Sequence, residues 1–319
     1  MTKDYSYYKA INWNEVEDEL DNAMWERATS LFWLDTRLPL ENDKDNWDQL
    51  STLEKARLER VLAILAKLAT YQAIEGGEII RNSEHSQPEV AFINNLQFTE
   101  MVNTKAYNRI LQVFNGESEK LNALFDWVDE EKVTNGLLEF VDDIYAGSNT
   151  LKKHFMAIYV EGAFNFTLLA YLLQLWTEKD FTSLGRVLRM IIQNESLHCL
   201  YLTHKLNLLL ARLNQDENVK FELWVMKTVE KLRANVEVLI NNLYGLSDSR
   251  ELAKELYQQE LKHILDRLGI VTMQDQPDND KLQNIDHVLK PLQHHHLRQD
   301  NFKTVKQTED LMTDDDYSF

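Results

Sequence analysis

Apolar residues recur at helical spacing along most of the 319-residue chain, in long windows rich in Leu, Glu, Lys, Asn and Ala. Only 9 Gly and 4 Pro interrupt these windows, which is too few for the turns that many short strands would need. The pattern therefore predicts an all-α protein. The predicted helices lie near residues 14–31, 52–82, 88–114, 118–145, 150–177, 182–213, 216–244 and 248–268.

The helical pattern decays after Gly269, where the chain continues as "VTMQDQPDNDKLQN" and ends in "EDLMTDDDYSF". Segments this polar bury too little apolar surface to offset the entropy lost on ordering. We therefore predict one helical domain over residues 1–275, followed by a polar, mobile C-terminal tail over residues 276–319.

Charge and composition exclude several classes of function for this protein. The chain has 34 Lys and Arg against 52 Asp and Glu, and its net charge of −18 argues against binding nucleic acid or an anionic membrane surface. One cysteine, Cys199, excludes an internal disulfide framework. The apolar run "FNFTLLAYLLQLW" ends at Thr177, short of a membrane span, and no secretory signal is evident. These features predict a cytoplasmic protein.

The segment "RMIIQNESLHCLY" places Glu195 and His198 three residues apart within an apolar helical run. This spacing puts both side chains on one helix face, about 4.5 Å apart along the axis. An isolated pair of this kind is more often a surface pair than a metal site. Further ligands are needed to decide between the two readings.

Two other predicted helices carry candidate ligands. Glu161 is a single acid inside "FMAIYVEGAFNFTLL", where burial is costly unless the carboxylate is paired or coordinated. Glu100, Asn103 and Tyr107 share one face of "LQFTEMVNTKAYNRIL". A dinuclear carboxylate centre in a helical bundle takes one Glu from each of two helices and a Glu-x-x-His from each of two others. These residues alone leave open whether Tyr107 and Trp33 are ordinary core aromatics.

Five segments in order carry a family resemblance: "INWNEVEDELDNAMWERATSLFWLDTRLPLENDKDNW", "NNLQFTEMVNTKAY", "FMAIYVEGAFNF", "LRMIIQNESLH" and "DDDYSF". They resemble the small (beta) subunit of class I ribonucleotide reductase, most closely its class Ib branch, over nearly the whole chain. The resemblance implies a ferritin-like helical bundle that holds two iron or manganese ions and oxidises a tyrosine to a radical. It also implies that this oxidising equivalent supports the reduction of ribonucleotides to deoxyribonucleotides.

The resemblance assigns functional positions residue by residue. Tyr107 matches the radical tyrosine, and Trp33 matches the tryptophan that relays the electron. The matching metal ligands are Glu100, Glu161, Glu195 and His198.

Three substitutions depart from the family pattern. Ala69 stands where the family has a ligating aspartate, and Asn103 replaces the histidine of the first Glu-x-x-His. Asn194 replaces the carboxylate that links Trp33 to the metal-bound histidine. Loss of two of six ligands weakens metal binding, so a partial or empty dimetal site is an alternative to a complete one.

Two nearby side chains are candidate replacements for the missing aspartate. Gln72 lies one turn from Ala69 on roughly the same face, but it offers only a neutral oxygen. Glu75 is about 9 Å further along the axis than Ala69, too far unless the helix is irregular.

The resemblance also implies partners. They are a second beta subunit, in a homodimer or in a heterodimer with another beta chain, and the large (alpha) subunit. The terminal "DDDYSF" keeps the acidic charge and the anchors Tyr317 and Phe319 that would fill apolar pockets of the large subunit. For manganese, the class Ib branch further implies a flavodoxin-like activator.

Three functional hypotheses remain open from the sequence. The first is a metal-loaded, radical-forming beta subunit. The second is a degenerate paralogue that acts as a non-catalytic scaffold or regulator of a competent reductase. The third is a radical subunit that needs no metal, in which a modified Tyr107 carries the oxidising equivalent. A ferritin-like oxidase without a partner is disfavoured by the acidic tail.

Overall fold

The computed structural model describes residues 10–83, 86–270 and 281–293, and these ranges contain helices and no strand. The all-α prediction is confirmed. The α-helices of the described ranges are α1 (Glu19–Ser30), α2 (Lys44–Gln49), α3 (Thr52–Tyr71), α4 (Gly77–Arg81), α5 (Gln87–Asn115), α6 (Ser118–Glu130), α7 (Lys132–Tyr145), α8 (Thr150–Tyr159), α9 (Asn165–Glu178), α10 (Thr182–Leu210), α11 (Gln215–Tyr244), α12 (Asp248–Arg267) and α13 (Leu282–Leu289).

The predicted helix over residues 118–145 is two helices, α6 and α7, in the structure. Glu131 separates them because its backbone is extended, with φ −66° and ψ 113°. Its side chain accepts hydrogen bonds from the amides of Val133 and Thr134, which otherwise lack partners at the start of α7. A local capping interaction therefore outweighs continuous helical periodicity.

The connection between α1 and α3 positions two later helices. Ser51 and Glu54 form a reciprocal capping box at the start of α3, as the Ser-x-x-Glu spacing indicates. Earlier in the connection, Asp43 is buried and accepts hydrogen bonds from the amides of Ser183 (3.1 Å) and Leu184 (2.7 Å). This acidic cap fixes the N-terminus of α10, the helix that carries Glu195 and His198.

Two helices continue through π-helical turns at the centre of the molecule. Gln72–Gly76 joins α3 to α4, and Val160–Phe164 joins α8 to α9. A π-helical turn holds one extra residue per turn and is frequent at functional sites. Gln72 and Glu161 lie on these two turns, facing one another across the bundle.

The helices pack as a ferritin-like bundle. α3 packs along α5, α8 along α10, and α9 along α12, while α1 covers α5. The segment Thr150–Glu178 is long and apolar enough to cross a membrane, but its most apolar window is entirely buried inside the bundle. Burial on all sides explains its composition as that of a core helix.

Residues 281–293 differ from the polar tail predicted to begin at residue 276. Leu282–Leu289 form α13, and Leu282, Ile285 and Leu289 are buried against the body of the bundle. Glu255 on α12 accepts hydrogen bonds from the amides of Lys281 and Leu282, both at 2.9 Å. These three side chains are spaced three and four residues apart, as in an amphipathic helix. The many polar residues around them make this short helical pattern hard to recognise in the sequence. The rest of the predicted tail, including Tyr317 and Phe319, lies outside the described residues.

Candidate metal centre

The four predicted ligands meet at the centre of the bundle. Glu100 comes from α5, Glu161 from the second π-helical turn, and Glu195 and His198 from α10. All four side chains are buried, and one ligand atom from each lies within 4.8 Å of the others. Residues separated by up to 98 positions thus form one carboxylate–histidine cluster.

Hydrogen bonds hold the cluster together. His198 Nδ1 lies 3.3 Å from Glu161 Oε2 and 3.5 Å from Glu100 Oε1. Asn103 donates from Nδ2 to Glu195 Oε1 over 2.9 Å, and to Glu100 Oε1 over 3.4 Å. The imidazole and the amide therefore compensate part of the negative charge that three neighbouring carboxylates would carry.

Gln72 occupies the space beside the missing aspartate. Ala69 is buried and offers no ligand atom, and Gln72, one turn further, donates from Nε2 to Glu161 Oε1 over 2.8 Å. Glu75 remains exposed although the helix is irregular at this point. The π-helical turn therefore brings an amide, and no additional carboxylate, to the cluster.

Several polar atoms around the cluster are buried without a hydrogen-bond partner: Gln72 Oε1, Asn103 Oδ1 and His198 Nε2. A buried polar group without a partner costs free energy, about 1–3 kcal/mol per group. If the side-chain amide of Gln72 or Asn103 rotated, its oxygen would take the place of its NH₂ group. That oxygen would then be a neutral ligand for a metal ion. Asn103, and Gln72 one turn from Ala69, thus retain weak ligand capacity.

The donor set fits iron or manganese. Carboxylate oxygens suit manganese, and imidazole together with carboxylates suits iron. A small cavity of about 10 Å³ opens between Ala69, Glu100, Tyr107 and Glu195 and leaves room for about one water molecule. Three carboxylates and one imidazole supply a full set for one ion, whereas a second ion would depend on shared carboxylates and amide oxygens.

Burial and repulsion between the carboxylates give the side chains of the cluster different protonation states. Burial raises the pKa of Glu195 well above its usual range, and the charges of Glu100 and Glu161 add to the effect. Burial also acts on Glu161, but hydrogen bonds from His198 and Gln72 outweigh it and lower the pKa of Glu161. Burial by itself would lower the pKa of His198, yet its contacts with Glu100 and Glu161 raise it to about 9. Without a metal ion, the cluster therefore pairs an imidazolium with ionised Glu161 and keeps a proton on Glu195.

Tyr107 lies beside the cluster. It is only 1% exposed, lines the same small cavity as Glu100 and Glu195, and sits one turn after Asn103 on α5. Burial raises the pKa of Tyr107 well above its usual range, and the acidic cluster beside it adds to this shift. The side chain is therefore a neutral phenol, shielded from solvent, next to the candidate ligands.

The predicted electron relay lacks its connecting hydrogen bond. Trp33 is buried, and its Nε1 has no hydrogen-bond partner. Asn194 donates instead from Nδ2 to the backbone carbonyl of Met190 over 2.9 Å. The amide at position 194 is satisfied within its own helix and does not serve Trp33.

One buried polar network next to the cluster was absent from the sequence predictions. It joins Asp21 on α1 to Tyr201 and Lys205 on α10. The spacing signal was present, because Asp18 and Asp21 are three apart and Tyr201 and Lys205 are four apart. Neither pair indicates its partner in sequence, and only the packing of α1 on α10 brings Asp21 to Tyr201 and Lys205 and buries all three.

A helical bundle with three carboxylates and an imidazole at its centre defines the class of ferritin-like carboxylate metalloproteins. The family model for "Ribonucleotide reductase, small chain" matches residues 10–272. This match covers most of the chain, and the chain belongs to that family.

Individual relatives agree with the family match. The ribonucleoside-diphosphate reductase subunit beta nrdF1 of Mycobacterium tuberculosis is 30% identical over 236 residues, 74% of this chain and 73% of that protein. The ribonucleoside-diphosphate reductase 2 subunit beta of Escherichia coli is 28% identical over 67% of this chain and 68% of that protein. The structure of dimanganese(II)-NrdF from Streptococcus sanguinis has a TM-score of 0.81 at 29% identity, covering 90% of this chain and 99% of that one. The predicted family and the ferritin-like fold are confirmed.

Proposed function

We propose that the chain acts as the small subunit of a ribonucleoside-diphosphate reductase and supports the reduction of ribonucleotides to deoxyribonucleotides. The observation that carries this proposal is the buried cluster of Glu100, Glu161, Glu195 and His198 with Tyr107 beside it. Family membership and relatives with this named activity support the same function.

The side chains have distinct roles in this proposal. Glu100, Glu161 and Glu195 neutralise the charge of iron or manganese, and His198 adds a neutral imidazole ligand after losing its proton. When bound, the metal supplies the oxidising power that converts Tyr107 to a radical. Burial of Tyr107 excludes water and reductants from that radical, and Trp33 relays the oxidising equivalent towards the large subunit while the electron moves in the opposite direction.

The donors present determine the metal occupancy that this proposal expects. Four strong donors fit one ion, and a second ion would rely on amide oxygens at Gln72 and Asn103. We therefore expect one firmly held ion and a weakly held second ion. A flavodoxin-like activator for manganese and a cytoplasmic location belong to the same proposal.

The missing hydrogen bond in the predicted electron relay favours a second candidate function. Trp33 Nε1 has no partner, Asn194 bonds within its own helix, and two ligands are replaced. A chain with these losses could keep the scaffold and serve as a non-catalytic partner of a complete beta subunit. The metal-independent radical subunit is a third candidate, because His198, Asn103 and Gln72 already compensate the carboxylates.

Members of this family form homodimers and pair with the large subunit. An apolar patch supports a homodimer here: Phe32 and Phe98 are 40% and 48% exposed and stack with ring centroids 6.0 Å apart, and Met101 beside them is 43% exposed. Exposed aromatic and Met side chains of this kind are enriched at interfaces. We propose that this patch, Phe32, Phe98 and Met101, contacts a second beta chain.

Metal analysis and low-temperature electron paramagnetic resonance test the function. Protein is grown first in iron and then in manganese, and deoxyribonucleotide formation is measured with a large subunit of the same source. Between one and two ions per chain, a tyrosyl signal and turnover are expected. At most one loosely held ion with no radical would favour the scaffold function, and a radical in metal-free protein would favour the metal-independent one.

A further inference from the structure

A second buried tyrosine lies close to the metal cluster. Tyr201 is on α10, three residues after His198, and is fully buried. Its ring stacks on Phe92 with centroids 3.9 Å apart, and Phe92 meets the His198 ring edge-on at 6.3 Å. One aromatic ring therefore connects Tyr201 to a candidate metal ligand.

Tyr201 has a carboxylate at hydrogen-bond distance. Its hydroxyl donates to Asp21 Oδ1 over 2.8 Å, and Asp21 is 1% exposed. Oxidation of a phenol makes it a very strong acid, so a tyrosyl radical forms readily only where its proton has an acceptor. Trp33 lacks an acceptor at Nε1, which makes the two aromatic side chains chemically different.

The charged groups around Asp21 also favour the loss of an electron from Tyr201. Lys205 Nζ lies 2.5 Å from Asp21 Oδ1, 3.0 Å from Glu89 Oε1 and 3.1 Å from Asp18 Oδ2. Three carboxylates thus surround one ammonium group. The excess negative charge stabilises loss of an electron from a nearby ring, although Lys205 itself lies 5.3 Å from the Tyr201 ring centroid and opposes this.

The hydrogen bonds continue towards solvent. Asp18 also lies 2.7 Å from His204 Nε2, and both side chains are partly exposed.

Burial raises the pKa of Asp21 although Lys205 and Tyr201 offset part of the effect, so its carboxylate is a better base than an exposed one. A proton accepted by Asp21 therefore stays beside Tyr201 and is available for return.

We propose that Tyr201 is a second redox-active tyrosine of this protein, with Asp21 as its proton acceptor. In the step, Tyr201 gives one electron to a one-electron oxidant, and its hydroxyl proton passes to the carboxylate of Asp21. The products are a neutral Tyr201 radical, protonated Asp21 and the reduced oxidant. With iron or manganese bound at Glu100, Glu161, Glu195 and His198, the metal centre would supply this one-electron oxidant, with Phe92 between it and Tyr201, and this part rests on the proposed function.

A purely structural role for the network makes a different prediction. The ion pairs of Lys205 would then only fix α1 against α10 and α5, and the hydroxyl of Tyr201 would matter for stability alone. Radical formation distinguishes the two roles, because a structural hydroxyl has no effect on it.

The test uses light and needs no metal. Leu208 is 38% exposed on α10, seven residues and about 10 Å along the axis from Tyr201. The native Cys199 is buried, so a thiol-reactive ruthenium polypyridyl photo-oxidant is directed to the variant Leu208→Cys. After a flash with an electron acceptor present, the tyrosyl radical is followed by transient absorption and electron paramagnetic resonance.

Two matched pairs of variants decide the result. Tyr201→Phe keeps the ring stacking and is expected to remove the radical, whereas Tyr244→Phe, at a buried tyrosine that donates to the Leu168 carbonyl, leaves it unchanged. Asp21→Asn is expected to reduce the radical yield about tenfold. Glu89→Gln removes another carboxylate from Lys205 without touching the Tyr201 hydroxyl, and a much smaller effect is expected. An unchanged radical in Tyr201→Phe, or equal effects of Asp21→Asn and Glu89→Gln, overturns the proposal.

The metal-loaded protein separates this proposal from the proposed function. In a Tyr107→Phe background, a tyrosyl signal that disappears on adding Tyr201→Phe supports electron transfer from Tyr201 to the cluster. If loading yields no oxidised species at all, the proposed function fails, while the photochemical result still decides whether Tyr201 and Asp21 form a redox pair.

Discussion

Gln72 donates a hydrogen bond to Glu161 across the bundle, over 2.8 Å between Nε2 and Oε1. The contact joins the two π-helical turns and lies one helical turn from Ala69, the position where the family resemblance implies a ligating aspartate. It stabilises ionised Glu161 without a metal ion. The contact therefore explains how the chain keeps a buried carboxylate cluster although two ligands are replaced.

Restoring the two replaced ligands should raise metal occupancy. The double variant Ala69→Asp with Asn103→His supplies a carboxylate and an imidazole, and we expect binding of a second ion to tighten by well over tenfold. Metal titration of the metal-free protein measures the change. Asn108→His, five residues further along α5, is the control and should bind no additional ion. Equal stoichiometry in the double variant and the parent would show that the pocket cannot accept a second ion.

The metal-free protein should lose stability as the pH rises. The pKa of His198 is raised from 6.5 to about 9, so its imidazolium contributes stability that is fully present below about pH 6.5 and is lost through pH 9. Glu195 acts in the same direction, because its raised pKa keeps a proton in the folded state that the unfolded state has lost. Thermal unfolding between pH 6 and about pH 9.5 measures the trend.

His198→Gln is the control for this pH dependence. It removes the titrating group and should flatten the decline, although the variant is expected to be less stable at pH 6 itself. Manganese affinity should rise over the same pH interval, since a ligating histidine must first lose its proton. A decline of the same slope in parent and variant would contradict the assignment to His198.

A charge in the apolar patch should weaken the dimer. Phe98→Glu places a carboxylate where a second chain would bury it without a partner, and we expect the dimer dissociation constant to rise at least about a hundredfold. Sedimentation velocity over a concentration series measures this shift. Leu223→Glu, at a site 53% exposed on α11, is the matched control and should leave the association unchanged. Equal dissociation constants for the two variants would exclude the patch from the interface.

Removal of the last six residues, "DDDYSF", should abolish binding of a large subunit. The deletion removes the acidic charge together with Tyr317 and Phe319, the proposed anchors. Surface plasmon resonance with an immobilised large subunit measures the loss. Replacing "HHH" at residues 294–296 by alanine changes the same tail without touching the anchors, and binding should persist. Retained binding by the truncated chain would mean that another surface carries the interaction.

The sequence by itself determined the helical fold and the candidate ligands. Helical periodicity and the scarcity of Gly and Pro are local properties, so they fix the helices without knowledge of packing. The isolation of Glu161 in an apolar run likewise indicates a ligand, because burial of such a group needs compensation. The spacing of Glu195 and His198 alone left a surface pair open, and the family resemblance decided in favour of ligands. The capping box of Ser51 and Glu54 is equally local, and it forms as its spacing indicates.

Only the tertiary structure decided what surrounds those ligands. The π-helical turn at Gln72 depends on packing across the bundle, and no residue spacing shows that Gln72 contacts Glu161 while Glu75 stays exposed. Asp21 and Tyr201 are 180 residues apart, and nothing in the sequence of either helix indicates that they meet. Their contact forms because α1 packs on α10, and long-range packing of this kind depends on the whole chain instead of on any one segment.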